Sequence, residues 1–449
     1  MVKSHVEESL GANPADAALN PADSVAMGVQ SAEVEPTQTP GFLASSRGRA
    51  FRALAHRPFR LLFVSFLVNQ TGFWISHISL QGLMVEITNN DPFQLGSLFF
   101  ALFLPAFVLA PVAGVVADRF DRKRIMLVCY AGVAATMLCV GWLTWSDRIT
   151  APLMLGLGFA LGTCFSFSGP ASFAVAANTV PGADLPSAVS LQSAANNLTR
   201  VFGPALAAPL VATSRFEVAF AVFFVASLVA AFLTSRMHIA AYVPEADEGG
   251  VFGRLRIGLA HARDRRPALA ALLTVAALSF FGVSHVAVLP VFAADVFGRQ
   301  DLFAWIVAAS GLGAMIGAIA TGYEHQATLR GAAVRMGLYG VSLVGFALTT
   351  HLWVALGTQV LIGYFYFAVM TSLQTLIQQI VDEGKRGRVM SLFQVAWAGL
   401  VPFGGFAMGA ATDGLGVVPT LAGAAVACIA IAAWVVAGAN RWSAPRREG

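Results

Sequence analysis

Three runs of polar side chains interrupt otherwise apolar sequence, and their spacing sets the chemistry to be explained. Gln70, Trp74, His77 and Gln81 fall at i, i+4, i+7 and i+11, which is one helical face. Phe367, Thr371, Gln374 and Gln378 repeat that spacing, and Gln192, Asn196 and Arg200, with Asn197 alongside, make a third run. His285 stands in a further apolar stretch. Amides give and accept hydrogen bonds, imidazole changes charge near neutral pH, and a guanidinium grips anions. Glu86, Asp295 and Asp413 lie near the ends of apolar blocks and Asp118 at a border, so no carboxylate sits mid-block. This set suits a neutral or anionic polar small molecule better than a lipophilic cation. His77 and His285 are candidate proton carriers, with plain interhelical hydrogen bonding as the alternative.

Other chemistries find no support. There is no GxSxG, HExxH, P-loop or metal-ligand cluster, so neither an enzyme nor a metal or other cofactor is expected. Cys129, Cys139, Cys164 and Cys428 lack CxxC spacing and read as packing residues. The glycine patterns GLGFALG (156–162) and GLGAMIG (311–317) are preceded by no strand and read as close helix contacts.

The elements that must hold these side chains follow from composition. Of 449 residues, 57% are hydrophobic and 12% charged, against roughly 25% charged in soluble domains, and the mean hydropathy is +0.70. The apolar blocks are long and unalternating, so helices rather than barrel strands cross the bilayer. Twelve are expected, near 60–84, 95–117, 125–146, 151–177, 188–213, 217–235, 268–294, 302–322, 334–350, 353–381, 389–412 and 417–438. The organisation predicted is a cytoplasmic tail without fixed structure (1–48), a six-helix bundle (49–236), a cytoplasmic linker (237–267), a second six-helix bundle (268–440) and a short tail (441–449). Lys and Arg fall overwhelmingly in the loops that share a side with the N-terminus, and by the positive-inside rule both termini are cytoplasmic. The net charge of +4 therefore reports topology and not nucleic-acid binding. Arg200 falls ~18 Å into its helix, near mid-membrane, where an arginine costs about 2.5–3.5 kcal/mol and needs a partner or a wet cavity.

Between the second and third blocks stands GVVADRFDRKR (114–124), four cations and two acids directly after hydrocarbon. With twelve spans and a long central loop, this run resembles the signature loop of the major facilitator superfamily. The order FRALAHRPFRLLFVSFLVNQTGFWI, LPAFVLAPVAGVVADRFDRKR, NNLTRVFGPALAAPLVA and GRVMSLFQVAWAGLVPFGGFAMGAATDGLG, over roughly residues 50–440, resembles the branch containing enterobactin exporters and related efflux carriers. The resemblance implies an all-α fold of two pseudo-symmetric bundles in the bacterial inner membrane, a monomer among lipids, and export of a small-molecule substrate by alternating access against inward proton flow.

It also implies a conformational latch: Gly114, Asp118, Arg119, Arg122, Lys123 and Arg124 acting with the start of helix 11, where Arg386 and Arg388 stand in for an arginine that helix 4 lacks. Gly203-Pro204 resembles a degraded exporter motif, and Ser190 and Ser391, each thirteen residues before Gly203 and Gly404, suggest that helices 5 and 11 are counterparts. A siderophore is the substrate the resemblance implies. A macrolide-like drug, or a membrane sensor that transports nothing, are the other readings.

Overall fold

A computed structural model of the chain describes residues 51–109, 112–113, 116, 120–238, 259–321 and 327–438, and no strand occurs among them. The segments 1–50 and 439–449, part of the signature loop (114, 115 and 117–119) and most of the central linker lie outside the described residues.

The first six rods are α1 Arg57–Thr88, α2 Pro92–Val108, α3 Arg122–Trp145, α4 Ala151–Ala177, α5 Leu185–Ala212 and α6 Phe216–Ser235. Their ends have local causes. Asn89 and Asn90 turn left-handed (φ 52° and 66°), which asparagine tolerates, and stop α1. Asp91 then caps α2 by accepting from the backbone N–H of Phe93 at 2.8 Å and Gln94 at 3.2 Å, with Pro92 in the first turn. Asp121 caps α3 through the N–H of Lys123 at 2.9 Å.

In the second half, α7 is an interrupted rod: Arg266–Ala277, a π turn at Leu278–Gly282, a 3-10 turn at Val283–Val288, then Leu289–Phe297. Pro290 lacks a donor and crowds the preceding turn, which is why regular helix cannot run through the block expected as one helix over 268–294. Next come α8 Leu302–Thr321, α9 Leu329–Leu348 and α10 Leu352–Ile380. The next block, α11, is likewise broken, into Glu383–Ala398 and Val401–Leu415, with Pro402 opening the second piece, and α12 is Val417–Ala437. Ten of the described helices are long and apolar enough to cross a membrane. The described part of α2 has 17 residues, and α5 carries the polar run. Large apolar side chains such as Val128, Val341 and Val426 are exposed on the outside, where lipid would cover them.

Neighbour relations repeat with an offset of six. The contacts α1–α5, α2–α4 and α3–α6 have the counterparts α7–α11, α8–α10 and α9–α12, while α2–α11 and α5–α8 join the halves. With no hydrophobic drive between helices in lipid, small residues set how closely backbones approach. A Cβ on Gly96 would lie 2.9 Å from the Gly405 carbonyl, and one on Gly313 would lie 1.9 Å from that of Val360, so α2–α11 and α8–α10 are backbone-to-backbone contacts. GLGAMIG thus packs a helix crossing, as expected. Because the rods alternate in direction, the loops α1–α2, α5–α6 and α7–α8 share the face remote from the start of α1. There the halves are tied by Asn90 Nδ2 donating to Asp295 at 3.0 Å and Gln300 Nε2 donating to Glu86 at 3.3 Å.

Gly156, by contrast, has no atom within 4 Å of a Cβ built on it. Gly313→Ala is therefore expected to destabilise by about 1–3 kcal/mol through overpacking, whereas Gly156→Ala should be neutral or stabilising by up to ~1 kcal/mol. Thermal unfolding of both variants in detergent checks the contrast.

Candidate functional site

The rods enclose a cavity of about 310 Å³ where the two halves meet, with walls from α1, α2, α5, α7, α8, α9, α10 and α11. Of the residues proposed from sequence, Gln70, Trp74, His77, Arg200 and His285 line it, as does Phe367. Gln81 and Asn196 stand one layer behind. Gln81 Nε2 donates to His77 Nε2 at 3.0 Å, and Gln70 Nε2 donates to Asn196 Oδ1 at 3.2 Å, joining α1 to α5. Asn197 turns back on its own helix and donates to the Ser193 carbonyl at 3.0 Å.

On α10 only the top of the polar stripe reaches the cavity. Thr371, Gln374 and Gln378 share the face of Phe367, but a rise of 1.5 Å per residue carries the two glutamines ~10 and ~16 Å further along, and both are exposed. The expectation that α10 supplies an amide stripe to the central chamber is therefore corrected. Aromatic side chains take that place: Phe73, Phe99, Phe103, Tyr366, Phe367 and Trp397. Trp397 Nε1 donates to the Tyr366 hydroxyl at 2.6 Å, which fixes both rings.

Arg200 sits mid-way along α5, with its head group between rings from opposite halves. Its Cζ lies 5.6 Å from the Trp74 centroid and 5.2 Å from the Phe367 centroid. Each such contact is worth about 0.5–2 kcal/mol, which offsets part of the cost of an arginine at that depth. No carboxylate is within ion-pair distance of it among the described residues.

The two histidines are held alike. His285 Nδ1 donates to the Gly282 carbonyl at 2.7 Å, a group freed by the α7 interruption, and its Nε2 accepts from Gln359 Nε2 at 3.3 Å. His77 also accepts a glutamine amide at Nε2, so its proton lies on Nδ1, which has no partner. Sequence reasoning missed Gln359, a fully buried amide in an apolar span, and the aromatic lining. The first had a signal, a lone glutamine in TQVLIG; the phenylalanines other than Phe367 had none, since any lipid-facing face carries them.

A sequence model of the family described as transmembrane secretion effector matches residues 49–442. The chain belongs to that family, within the major facilitator superfamily. It is 23% identical to the staphyloferrin A transporter of Staphylococcus aureus over 380 residues, 82% of this chain and 92% of that one. It is also 23% identical to macrolide efflux protein A of Streptococcus pyogenes over 341 residues, covering 73% and 84%. Among solved structures, a POT family transporter superposes with a TM-score of 0.70 at 11% identity, covering 86% of this chain and 97% of that one. A variant of the nucleoside transporter NupG gives 0.68 at 14%, covering 85% and 99%. These likenesses place the chain in the transporter fold, as a multi-pass membrane protein.

Gly114, Asp118 and Arg119 of the signature loop lie outside the described residues, as does the side chain of Arg386. Lys123 and Arg124 bond close to the first half. Lys123 Nζ donates to the carbonyls of Ser235 at 2.9 Å and Met237 at 2.6 Å, clamping the C-terminal end of α6, where a cation is favoured. Arg124 lies 3.8 Å from Asp121, both exposed, while Arg122 and Arg388 are half-buried.

The repeat seen in sequence has a structural counterpart. A Cβ on Gly203 would fall 2.3 Å from Trp74 Cβ on α1, and one on Gly404 would fall 2.2 Å from Ser284 Oγ on α7. Both glycines let the fifth helix of a half close onto its first, and Pro204 follows inside α5. Gly203→Ala should cost about 1–3 kcal/mol and displace Trp74. Because the clash is with Trp74 Cβ, which alanine keeps, adding Trp74→Gly should recover part of that loss and Trp74→Ala much less, a non-additivity that unfolding of the single and double variants measures.

Proposed function

We propose that this transporter exports a small organic anion from the cytoplasm by alternating access, with protons moving inward in exchange. The observation that carries the reading is Arg200, a cation without a carboxylate, set between Trp74 and Phe367 where both halves wall one cavity. A permanent charge mid-membrane is tolerated where water or a ligand reaches it. Rocking of the halves about the α2–α11 and α5–α8 contacts would open the cavity to one face and then the other.

In this reading the membrane is the bacterial inner membrane, both termini are cytoplasmic, and the remote face tied by Asn90–Asp295 and Gln300–Glu86 is the outer one. The bundles run over 49–236 and 268–440 about the linker 237–267, and the protein works as a monomer without a cofactor. The signature loop, Gly114 to Arg124, with Arg386 and Arg388, latches the cytoplasmic side in the outward-open state. His77 and His285 carry the exchanged protons. Both line the cavity, hydrogen-bonded to Gln81 in the first case and Gln359 in the second, so water entering the cavity would bring protons to them.

The staphylococcal relative's name supports a siderophore as the exported anion. A macrolide-like drug is the second reading, favoured by the aromatic walls and the streptococcal relative.

Medium from a deletion strain grown without iron should lack an acidic metabolite that the wild type secretes, and Arg200→Gln should not restore it. An unchanged metabolite profile contradicts the anion-export reading. In vesicles, His285→Gln should weaken the dependence of transport on a pH gradient more than it slows counterflow.

A further inference from the structure

The cavity's unsatisfied atoms carry the substrate class further. Buried polar atoms normally find partners, and an orphan in a site marks where a ligand group belongs. On the residues lining this cavity, the buried orphans are Trp74 Nε1, His77 Nδ1 and Arg200 Nε. All three are donors. They belong to one cluster, since the Arg200 head lies 5.6 Å from the Trp74 ring, whose centroid is 5.9 Å from that of His77. His77 is 2% exposed, so bulk water does not satisfy it.

Around these donors the walls are rings. Phe73 packs against His77 in a stacked pair at 5.6 Å, and Phe99 and Phe103 approach the same imidazole at 6.2 and 5.7 Å. The lining contains a single arginine and no lysine. A volume of about 310 Å³ is at the lower end of the range for drug-sized ligands, roughly 300–1,000 Å³.

We infer that the site takes a compact aryl monoanion: one carboxylate or equally acidic oxygen held by Arg200, Trp74 and His77, on a flat aromatic body lying among Phe73, Phe99, Phe103 and Phe367. This rests on the anion-export reading and narrows it. One permanent cation balances one anionic group, so a polycarboxylate chelator would leave charges buried and unpaired, which is strongly unfavourable. An aryl acid, free or as the arm of a larger chelator, meets both the donor cluster and the rings. A neutral macrocycle leaves the three donors orphaned.

The test uses the full chain in lipid nanodiscs with four probes: 2-naphthoate, its neutral analogue 2-naphthamide, the aliphatic octanoate, and citrate. Binding is followed by tryptophan fluorescence and calorimetry. 2-Naphthoate should bind at least about tenfold (1.4 kcal/mol) more tightly than each of the other three. Arg200→Gln should erase the preference over 2-naphthamide, Arg200→Lys should retain part of it, and Phe367→Leu should reduce the preference over octanoate. Unfolding curves identify any variant that fails to fold, in which case the four-probe ranking on the unaltered protein decides alone. Citrate binding as well as 2-naphthoate, or indifference to charge, overturns the inference. Selective 2-naphthoate binding without its movement in proteoliposomes sinks the export reading and leaves the site assignment standing. Movement of 2-naphthamide and citrate as readily as 2-naphthoate sinks the assignment and leaves export standing.

Discussion

A guanidinium in the middle of a membrane must be kept company, and the rest of the structure can be read from how that is arranged. Arg200 has no carboxylate within ion-pair distance among the described residues, and the rings of Trp74 and Phe367 flank it. Two cation–π contacts of about 0.5–2 kcal/mol each are of the same order as the ~2.5–3.5 kcal/mol cost of placing it there. The balance is close, so the residue needs the cavity at its side. Because one ring comes from each half, the environment of the charge is itself sensitive to how the halves sit.

That environment depends on close backbone approach. Gly203 admits Trp74, Gly311 lets α8 reach the α5 backbone at Arg200, and Gly96 and Gly409 bring α2 against α11. Where side chains cannot drive association, glycine sets the distance at which the helices meet. The interruption of α7 near Pro290 frees the Gly282 carbonyl, which orients His285. His77, Trp74 and Arg200, all on the cavity wall, are left with donors that no protein group satisfies.

The all-helical multi-pass character and the odd residue Arg200 were legible in the chain, because lipid makes a polar side chain conspicuous. His77 and His285 stood out for the same reason, as did the repeat that pairs Gly203 with Gly404. The stripe Thr371, Gln374, Gln378 misled, since a helical period fixes the face of a residue but not its depth relative to a cavity. Gln81 and Asn196 have the right face and sit behind the residues that line the site. Apart from Trp74 and Phe367, which lie on the polar runs, the aromatic walls were invisible: a phenylalanine facing lipid and one facing substrate have the same sequence signature. The breaks at Pro290 and Pro402 had a local signal, but apolar continuity on both sides masked it.

The central claim is that a chamber open to water reaches the middle of the bilayer at Arg200. Ser310 lines that chamber, whereas Val426 is exposed on the outside of α12. In a background without the native cysteines, Ser310→Cys and Val426→Cys can be compared for reaction with a membrane-impermeant thiol reagent, which needs water to form the thiolate. The account predicts that the Ser310→Cys variant reacts and the Val426→Cys variant does not. Equal inertness of the two would mean that the chamber is dry and that Arg200 is held by something else.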